Sequence, residues 1–356
     1  MATSSVRPRT STVVILPGGS SEVKRTIIFI ASHETLSRPR IINQAVWLDT
    51  VKWSTVNAQA MIIDSHVHIW MREHLPDSMV RAYLEPLNAL KDLFDWEVDA
   101  EEVWPEYGVD VNKVLEMMSA GKVDRAVVLP IDYNLVDQAR VDIEQYNIWA
   151  FEGAAPYRDR IIPFVGIDPQ RGDRAISIME KFVKKYDAPG IKVYPATGWY
   201  PNEERVQRFW EHADDLGLVV ITHGGAAWGP LDEKYTRPSF YDEVLHRYPD
   251  LRVVIAHIGG KYRSETYELC AKHSNCFTDI SALQGWLPSD PDTCMSRLKE
   301  VAEKVPDRAS FGTDFPLFDL SYPSEMWLNF VRDRPWADED TKAKVLGGNM
   351  RRLLGL

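Results

Sequence analysis

His66 and His68 stand one residue apart at the end of a short apolar run, Met61-Ile62-Ile63-Asp64-Ser65-His66-Val67-His68. Side chains two apart on a strand share a face. Both imidazoles would then project the same way, about 6–7 Å apart at the backbone, as a chelating pair for a transition metal does. Residues of metal-ligand type recur at the ends of later apolar runs. Gly190-Ile191-Lys192-Val193-Tyr194-Pro195 carries Lys192, and Leu218-Val219-Val220-Ile221-Thr222-His223-Gly224-Gly225 carries His223. Arg252-Val253-Val254-Ile255-Ala256-His257-Ile258-Gly259-Gly260 carries His257, and Ser310-Phe311-Gly312-Thr313-Asp314-Phe315-Pro316 carries Asp314.

Each run is rich in Val and Ile and ends in Gly or Pro, the pattern of a strand buried on both faces. The steps are 31 residues from Lys192 to His223, 34 from His223 to His257 and 57 from His257 to Asp314. One strand–helix unit takes about 30 residues, so the last gap holds two. Counted this way, eight runs fall near 62–67, 125–129, 162–167, 190–194, 218–222, 252–256, 276–280 and 308–313. Helical patterns lie between them. Asp110 can cap a helix with Val111, Val114, Leu115 and Met118 on one face, stopped by Gly121. Glu203 to Leu216 places Val206, Phe209, Trp210 and Ala213 at helical spacing, and Tyr241–Tyr248, Ser264–His273 and Thr341–Leu354 behave similarly. Eight alternating units predict an α/β fold, a (β/α)8 TIM barrel whose active site gathers at the C-terminal strand ends. A doubly wound open sheet would instead split those ends across a crevice.

The connection from His68 to Arg125 is about 40 residues longer than an ordinary βα loop. Asp77 to Phe94 has helix-like spacing, and Trp70, Trp96 and Trp104 are scattered through the segment. This insertion after strand 1 is expected to cover the site, to plug the barrel or to make a dimer contact. Residues 1–60 form a separate N-terminal extension, flexible or loosely docked, ahead of a catalytic domain at 61–356. They hold seven Lys/Arg against three Asp/Glu, whereas the whole chain of 356 residues carries −11. An organelle transit peptide is the competing reading of the arm. The acidic body argues against nucleic acid as a partner. No apolar stretch reaches the roughly 20 residues of a membrane span. Cys270, Cys276 and Cys294 lack CxxC spacing and are odd in number, which predicts reduced thiols and a cytoplasmic protein. A homodimer stays open.

Taken together, Asp-Ser-His-Val-His, Gly-Ile-Lys-Val-Tyr-Pro, Thr-His-Gly-Gly, Ala-His-Ile-Gly-Gly, Gly-Thr-Asp-Phe-Pro and the closing Leu346-Gly-Gly-Asn-Met-Arg-Arg-Leu-Leu-Gly355 resemble the amidohydrolase superfamily, in its amidohydrolase-related branch. The resemblance spans 61–356. It implies that His66, His68, His223 and Asp314 hold one divalent metal and that His257 is the general acid/base or substrate-polarising residue. Superfamily members with two metals bridge them by a carboxylated lysine on strand 4, where Lys192 stands. This branch usually lacks that bridge, so one metal is expected. Three imidazoles and a carboxylate suit Zn²⁺, and also Mn²⁺ or Fe²⁺. Such an ion lowers the pKa of a bound water to about 7, and Asp314 could accept the water's proton.

Two reactions fit that set. The main expectation is a metal-dependent hydrolase acting on a small ester, lactone or amide. The alternative is a nonoxidative decarboxylase of an aromatic or related acid. Decarboxylases of the branch often carry a Glu after the strand-6 motif, whereas here no acid follows His257 until Glu265. Lys261 and Arg263 are candidates to bind a substrate carboxylate, with Lys192 and Tyr194 lining the pocket. A barrel that binds metal or a small molecule without turnover is the third class.

Overall fold

The Val- and Ile-rich runs form strands where the spacing predicts them. β1 is Ile63–His68, β2 Arg125–Leu129 and β3 Ile161–Pro163 continued by Val165–Gly166. β4 is Gly190–Val193, β5 Val219–Thr222, β6 Arg252–Ile255, β7 Cys276–Asp279 and β8 Ala309–Ser310. The computed structural model describes residues 61–88, 107–319 and 322–356, with the backbone of 12–17 and 26–31. Neighbouring strands pair in parallel. β3 is interrupted at Phe164, after Pro163, which has no N–H for the ladder. Phe164 N still donates to Val128 O at 3.0 Å. The Asn147 amide brackets Gly166 with two bonds of 2.8 Å. The barrel closes between the chain after β8 and β1: Ser65 N donates to Phe311 O, Asp314 N to His66 O and His68 N to Phe315 O, each at 2.8 Å. The fold is a (β/α)8 barrel, and the open-sheet alternative falls with that closure.

The helices follow the sequence pattern with small shifts. α1 is Asp77–Asn88 in the insertion, and α2 is Val111–Gly121. Asp110 caps α2 by accepting from Lys113 N at 2.9 Å. The helix runs through Gly121, and Lys122 takes the left-handed cap at φ 56°. The 203–216 pattern becomes one tight turn and then Gln207–Asp215. The 341–354 pattern divides into Glu339–Ala343 and Asn349–Leu354 around a wider turn at Lys344–Gly348. That turn lies against the start of β1: a Cβ on Gly347 would stand 1.9 Å from the Met61 carbonyl oxygen.

Parity along the strands decides what reaches the barrel interior. Ile63, Val127, Leu129, Ile162, Phe164, Val219, Ile221, Val254 and Phe277 form one apolar cluster, closed by Met350 and Leu353 of the last helix. The alternate residues, such as Val220, Val253 and Cys276, belong to the larger cluster between sheet and helices. Continuing the inward parity carries His223 two residues beyond Ile221 and Asp279 two beyond Phe277. β1 would break this rule, because Ile63 and His66 differ in parity. Its register shifts between Asp64 and Val67. A bulge there adds the one residue that returns His66 and His68 to the side of Ile63.

The ends of the insertion are tied together. Trp70 N donates to Val109 O at 3.0 Å, Val109 N to Trp70 O at 2.7 Å, and the Trp70 indole to Tyr107 O at 2.8 Å. The rest of the predicted 77–94 helix, with Trp96 and Trp104, lies outside the described residues. In the arm, Thr26–Ala31 pairs antiparallel with Thr12–Pro17. Among the described residues no helix is long and apolar enough to cross a membrane.

Candidate metal centre and active site

The C-terminal ends of the strands gather His66, His68, Lys192, His223, His257, Asp279 and Asp314, all buried. His68 Nε2 lies 3.0 Å and His66 Nε2 3.5 Å from Asp314 Oδ1. Ligand atoms on a tetrahedral ion at about 2.1 Å would be roughly 3.4 Å apart. The donor set therefore fits a divalent metal. Two groups of three meet that test, His66/His68/Asp314 and His66/His257/Asp279, each with its ligand atoms within 4.8 Å of one another. They share His66 and so describe one site for one ion.

The surroundings move several groups of the cluster towards the protonation states a metal needs. Burial lowers the pKa of His66, His223 and His257, with Lys192 adding to the effect in each, so the rings are neutral. Burial would raise Asp314, but the imidazoles of His257, His68 and His66 outweigh it and hold the carboxyl well below the usual range. Asp314 sits in the left-handed region at φ 55°, which a short polar side chain tolerates better than most. Asp64, pushed up to about 7 by burial, holds the same loop by accepting from Thr313 Oγ1 at 2.6 Å and Thr313 N at 3.0 Å.

His223 faces this cluster with its ring 5.0 Å from that of His257. Its Nε2 donates to Ala226 O at 2.8 Å, which leaves Nδ1 as the ring's acceptor. It belongs to neither group of three. Lys192 places Nζ 3.2 Å from His66 Nε2 and is pushed down to about 8 by burial. Tyr194 stacks on His223 at 4.1 Å and 9°. Lys261 and Arg263 go elsewhere. Lys261 pairs with Glu233, and Arg263 with Glu300 at 3.0 Å. The backbone takes positive φ at four successive residues, His257 to Gly260, and this turn separates His257 from the residues that follow it.

Three further groups complete the site. Asp279, at the end of β7, accepts from His66 Nδ1 at 2.9 Å and from His257 N at 2.9 Å. Ser281 Oγ meets His257 Nδ1 at 2.8 Å. Gly312 leaves room for this packing, because a Cβ there would stand 2.9 Å from His66 Cβ and 3.0 Å from Ser281 Cβ. The third is an aromatic cover: Trp70 stacks on His68 (4.9 Å, 16°) and Tyr83 of α1 on Trp70 (5.6 Å, 16°). The Tyr83 hydroxyl bonds that of Tyr133 at 2.7 Å, and Tyr133 lies edge-on to Tyr194 at 5.3 Å. The acid ending the 276–280 run was the available signal for Asp279; nothing in the spacing signals Tyr83.

The amidohydrolase family model matches residues 63–356, and the chain belongs to that family. No curated protein matches it in sequence. Among solved structures, an uncharacterized TIM-barrel protein of Bordetella bronchiseptica aligns with a TM-score of 0.61 at 21% identity, over 83% of this chain and 98% of its own. A dihydroxybenzoic acid decarboxylase of Polaromonas, with manganese and the inhibitor 2-nitroresorcinol, aligns at 0.60 and 14%, over 84% and 98%. A probable 2-pyrone-4,6-dicarboxylic acid hydrolase of Acinetobacter baumannii, with citric acid, aligns at 0.53 and 14%, over 83% and 99%. These likenesses establish the shared barrel. Family and donor set together define a metal-binding TIM-barrel enzyme of the amidohydrolase superfamily.

Proposed function

We propose that the protein is a metal-dependent, nonoxidative decarboxylase of an aromatic or related planar carboxylic acid. The observation that carries this reading is the aromatic cover. Rings stacked on His68 and His223 rise from two sides of the cluster and meet at the Tyr83–Tyr133 hydroxyl pair. Flat walls of this kind suit a flat substrate. One of the solved barrels it resembles is named for such a reaction.

His66, His68 and Asp314 hold the ion, with His223 beside them. Zn²⁺ suits the nitrogen-rich set, and Mn²⁺ or Fe²⁺ fits it too. The ion supplies Lewis-acid charge to substrate oxygens. Lys192 provides a buried ammonium for an anionic oxygen. An anionic substrate beside His257 favours the protonated ring. That ring then gives its Nε2 proton to the carbon that loses CO₂, and the electron pair of the broken C–C bond takes up the proton. No external oxidant or reductant is needed. The acidic chain supports a small-molecule partner over nucleic acid, and three buried free thiols support a cytoplasmic location.

Hydrolysis of a lactone, ester or amide is the second reading. It is favoured by the burial of His257, which lowers the pKa of the ring and suits a base that takes a proton from water. Turnover of a panel of hydroxybenzoates and lactones in D₂O and in H₂¹⁸O separates the two. Decarboxylation releases CO₂ and leaves deuterium on the product carbon. Incorporation of ¹⁸O into the product without CO₂ would replace the first reading with the second.

A further inference from the structure

We infer that Asp279 and Ser281 are the positioning residues of the metal centre, and that they select which nitrogen of His66 and of His257 faces the ion and the substrate. The inference rests on the metal centre but on neither of the two reactions. It turns on counting protons. A carboxylate only accepts hydrogen bonds. The 2.9 Å contact of His66 Nδ1 with Asp279 Oδ2 therefore requires the proton on Nδ1, and Nε2 keeps the lone pair. Nε2 is the nitrogen that lies 3.5 Å from Asp314 Oδ1. Asp279 is thus the group that orients a ligand, as carboxylates commonly do for metal-binding histidines. The ion belongs to His66/His68/Asp314 and not to the overlapping group that contains Asp279.

The second half follows from the hydroxyl of Ser281, which has a single proton. Ser281 Oγ donates it to Asp279 Oδ1. Its contact with His257 Nδ1 at 2.8 Å must then be one in which the ring donates. His257 is accordingly protonated on Nδ1, and Nε2 is left as the acceptor that gains and loses the catalytic proton. The same carboxylate oxygen also accepts from His257 N at 2.9 Å and Ser281 N at 3.1 Å. One fully buried side chain thereby holds the ring of His66, the backbone at His257 and the hydroxyl that aligns the His257 ring.

The test uses the full chain stripped of metal and then titrated with Zn²⁺ against a chromophoric chelator. Two-bond ¹H–¹⁵N spectra of the histidine rings are recorded before and after loading. In the wild type, His66 and His257 should both read as protonated on Nδ1; either ring protonated on Nε2 overturns the inference. Asp279→Asn should weaken Zn²⁺ binding roughly 10–100-fold, the usual cost of losing an outer partner, while keeping one equivalent. Ser281→Ala should leave Zn²⁺ affinity near wild type yet give His257 mixed tautomers, and Ser281→Thr should restore one tautomer. Unchanged affinity in Asp279→Asn refutes the orienting role. Loss of all stoichiometric binding in a folded Asp279→Asn makes Asp279 a ligand, and loss of Zn²⁺ in His257→Asn moves the ion to the second group. If Asp279→Asn fails to fold, the wild-type spectra and the Ser281 pair decide the question.

Discussion

His74 supplies a stability test that the metal centre does not dominate. Its ring, in the insertion, stacks on Tyr146 at 4.3 Å and lies 4.4 Å from Trp149, both on the helix Ile143–Ala154, and its Nδ1 accepts from Met71 N at 2.9 Å. Burial pushes its pKa down from the ordinary 6.5 to about 4, with Glu73 offsetting part of the effect. Between those values the unfolded chain binds the proton and the folded chain does not. Stability from this group is therefore complete above pH 6.5 and is lost as pH falls towards 4. One proton is worth about 1.4 kcal/mol per pH unit, so going from pH 7 to pH 5 should cost about 2 kcal/mol through His74 alone. His66, His223 and His257 also resist protonation and add to acid sensitivity. The informative quantity is a difference. His74→Phe keeps a stacking ring and removes the titrating group, at the cost of one acceptor worth about 1 kcal/mol. Urea unfolding of the metal-free wild type and variant at pH 7, 6 and 5 should show the gap between them closing, then reversing by about 1 kcal/mol at pH 5. Parallel curves would show that His74 is not held neutral by its surroundings.

Other consequences can be measured independently. His257→Asn should keep the metal and lose roughly 10²–10⁴-fold in turnover, the usual contribution of a general acid/base, read from steady-state kinetics with metal analysis. Asp168, buried and pushed up to about 6, accepts from Thr197 Oγ1 at 2.6 Å. Because that carboxyl is destabilised when ionised, Asp168→Asn should raise stability by up to about 3 kcal/mol at pH 7 and by nothing below pH 4, as followed by denaturant midpoints. A chain starting at Met61 should fold and bind one equivalent of metal, since every site residue lies beyond it; loss of metal from a folded truncation would assign residues of the arm to the centre.

Strand number, order and the inward-facing end positions were legible because they follow from period-2 alternation and the length of one strand–helix unit. His223 and Asp314 could be placed from those rules alone. The bulge in β1 could not, because alternation from Ile63 predicts His66 on the outer face, and only an added residue reverses it. Asp279 obeyed the same parity as His223. Nothing within the 276–280 run distinguishes that acid from an ordinary polar position at a strand end. Lys261 and Arg263 fail for another reason: nearness in sequence to His257 does not survive a left-handed turn, and both find carboxylates on their way out. Tyr83 reaches the site from a distant segment, across a connection that no local pattern encodes.

The arrangement also explains how so many polar groups can be buried at one end of a barrel. A neutral imidazole costs far less to desolvate than an imidazolium, and burial lowers the pKa of His66, His223 and His257. One nitrogen of each ring is paired within the protein, with Leu129 O at His68, Ala226 O at His223, Ser281 Oγ at His257 and Asp279 at His66. Each of these contacts consumes one nitrogen of its ring and leaves the other to the cluster. Asp314 lies among several imidazoles, whose interactions outweigh burial and hold its carboxyl well below the usual range. A dication would therefore meet a carboxylate held well below its usual pKa and, at His66, His223 and His257, rings whose burial disfavours the proton, which reduces the proton release that opposes binding. Lys192 is a cationic neighbour of the cluster, and its own burial weakens its hold on a proton. The same burial that disfavours a proton on the rings thus also eases the repulsion from the charge beside them.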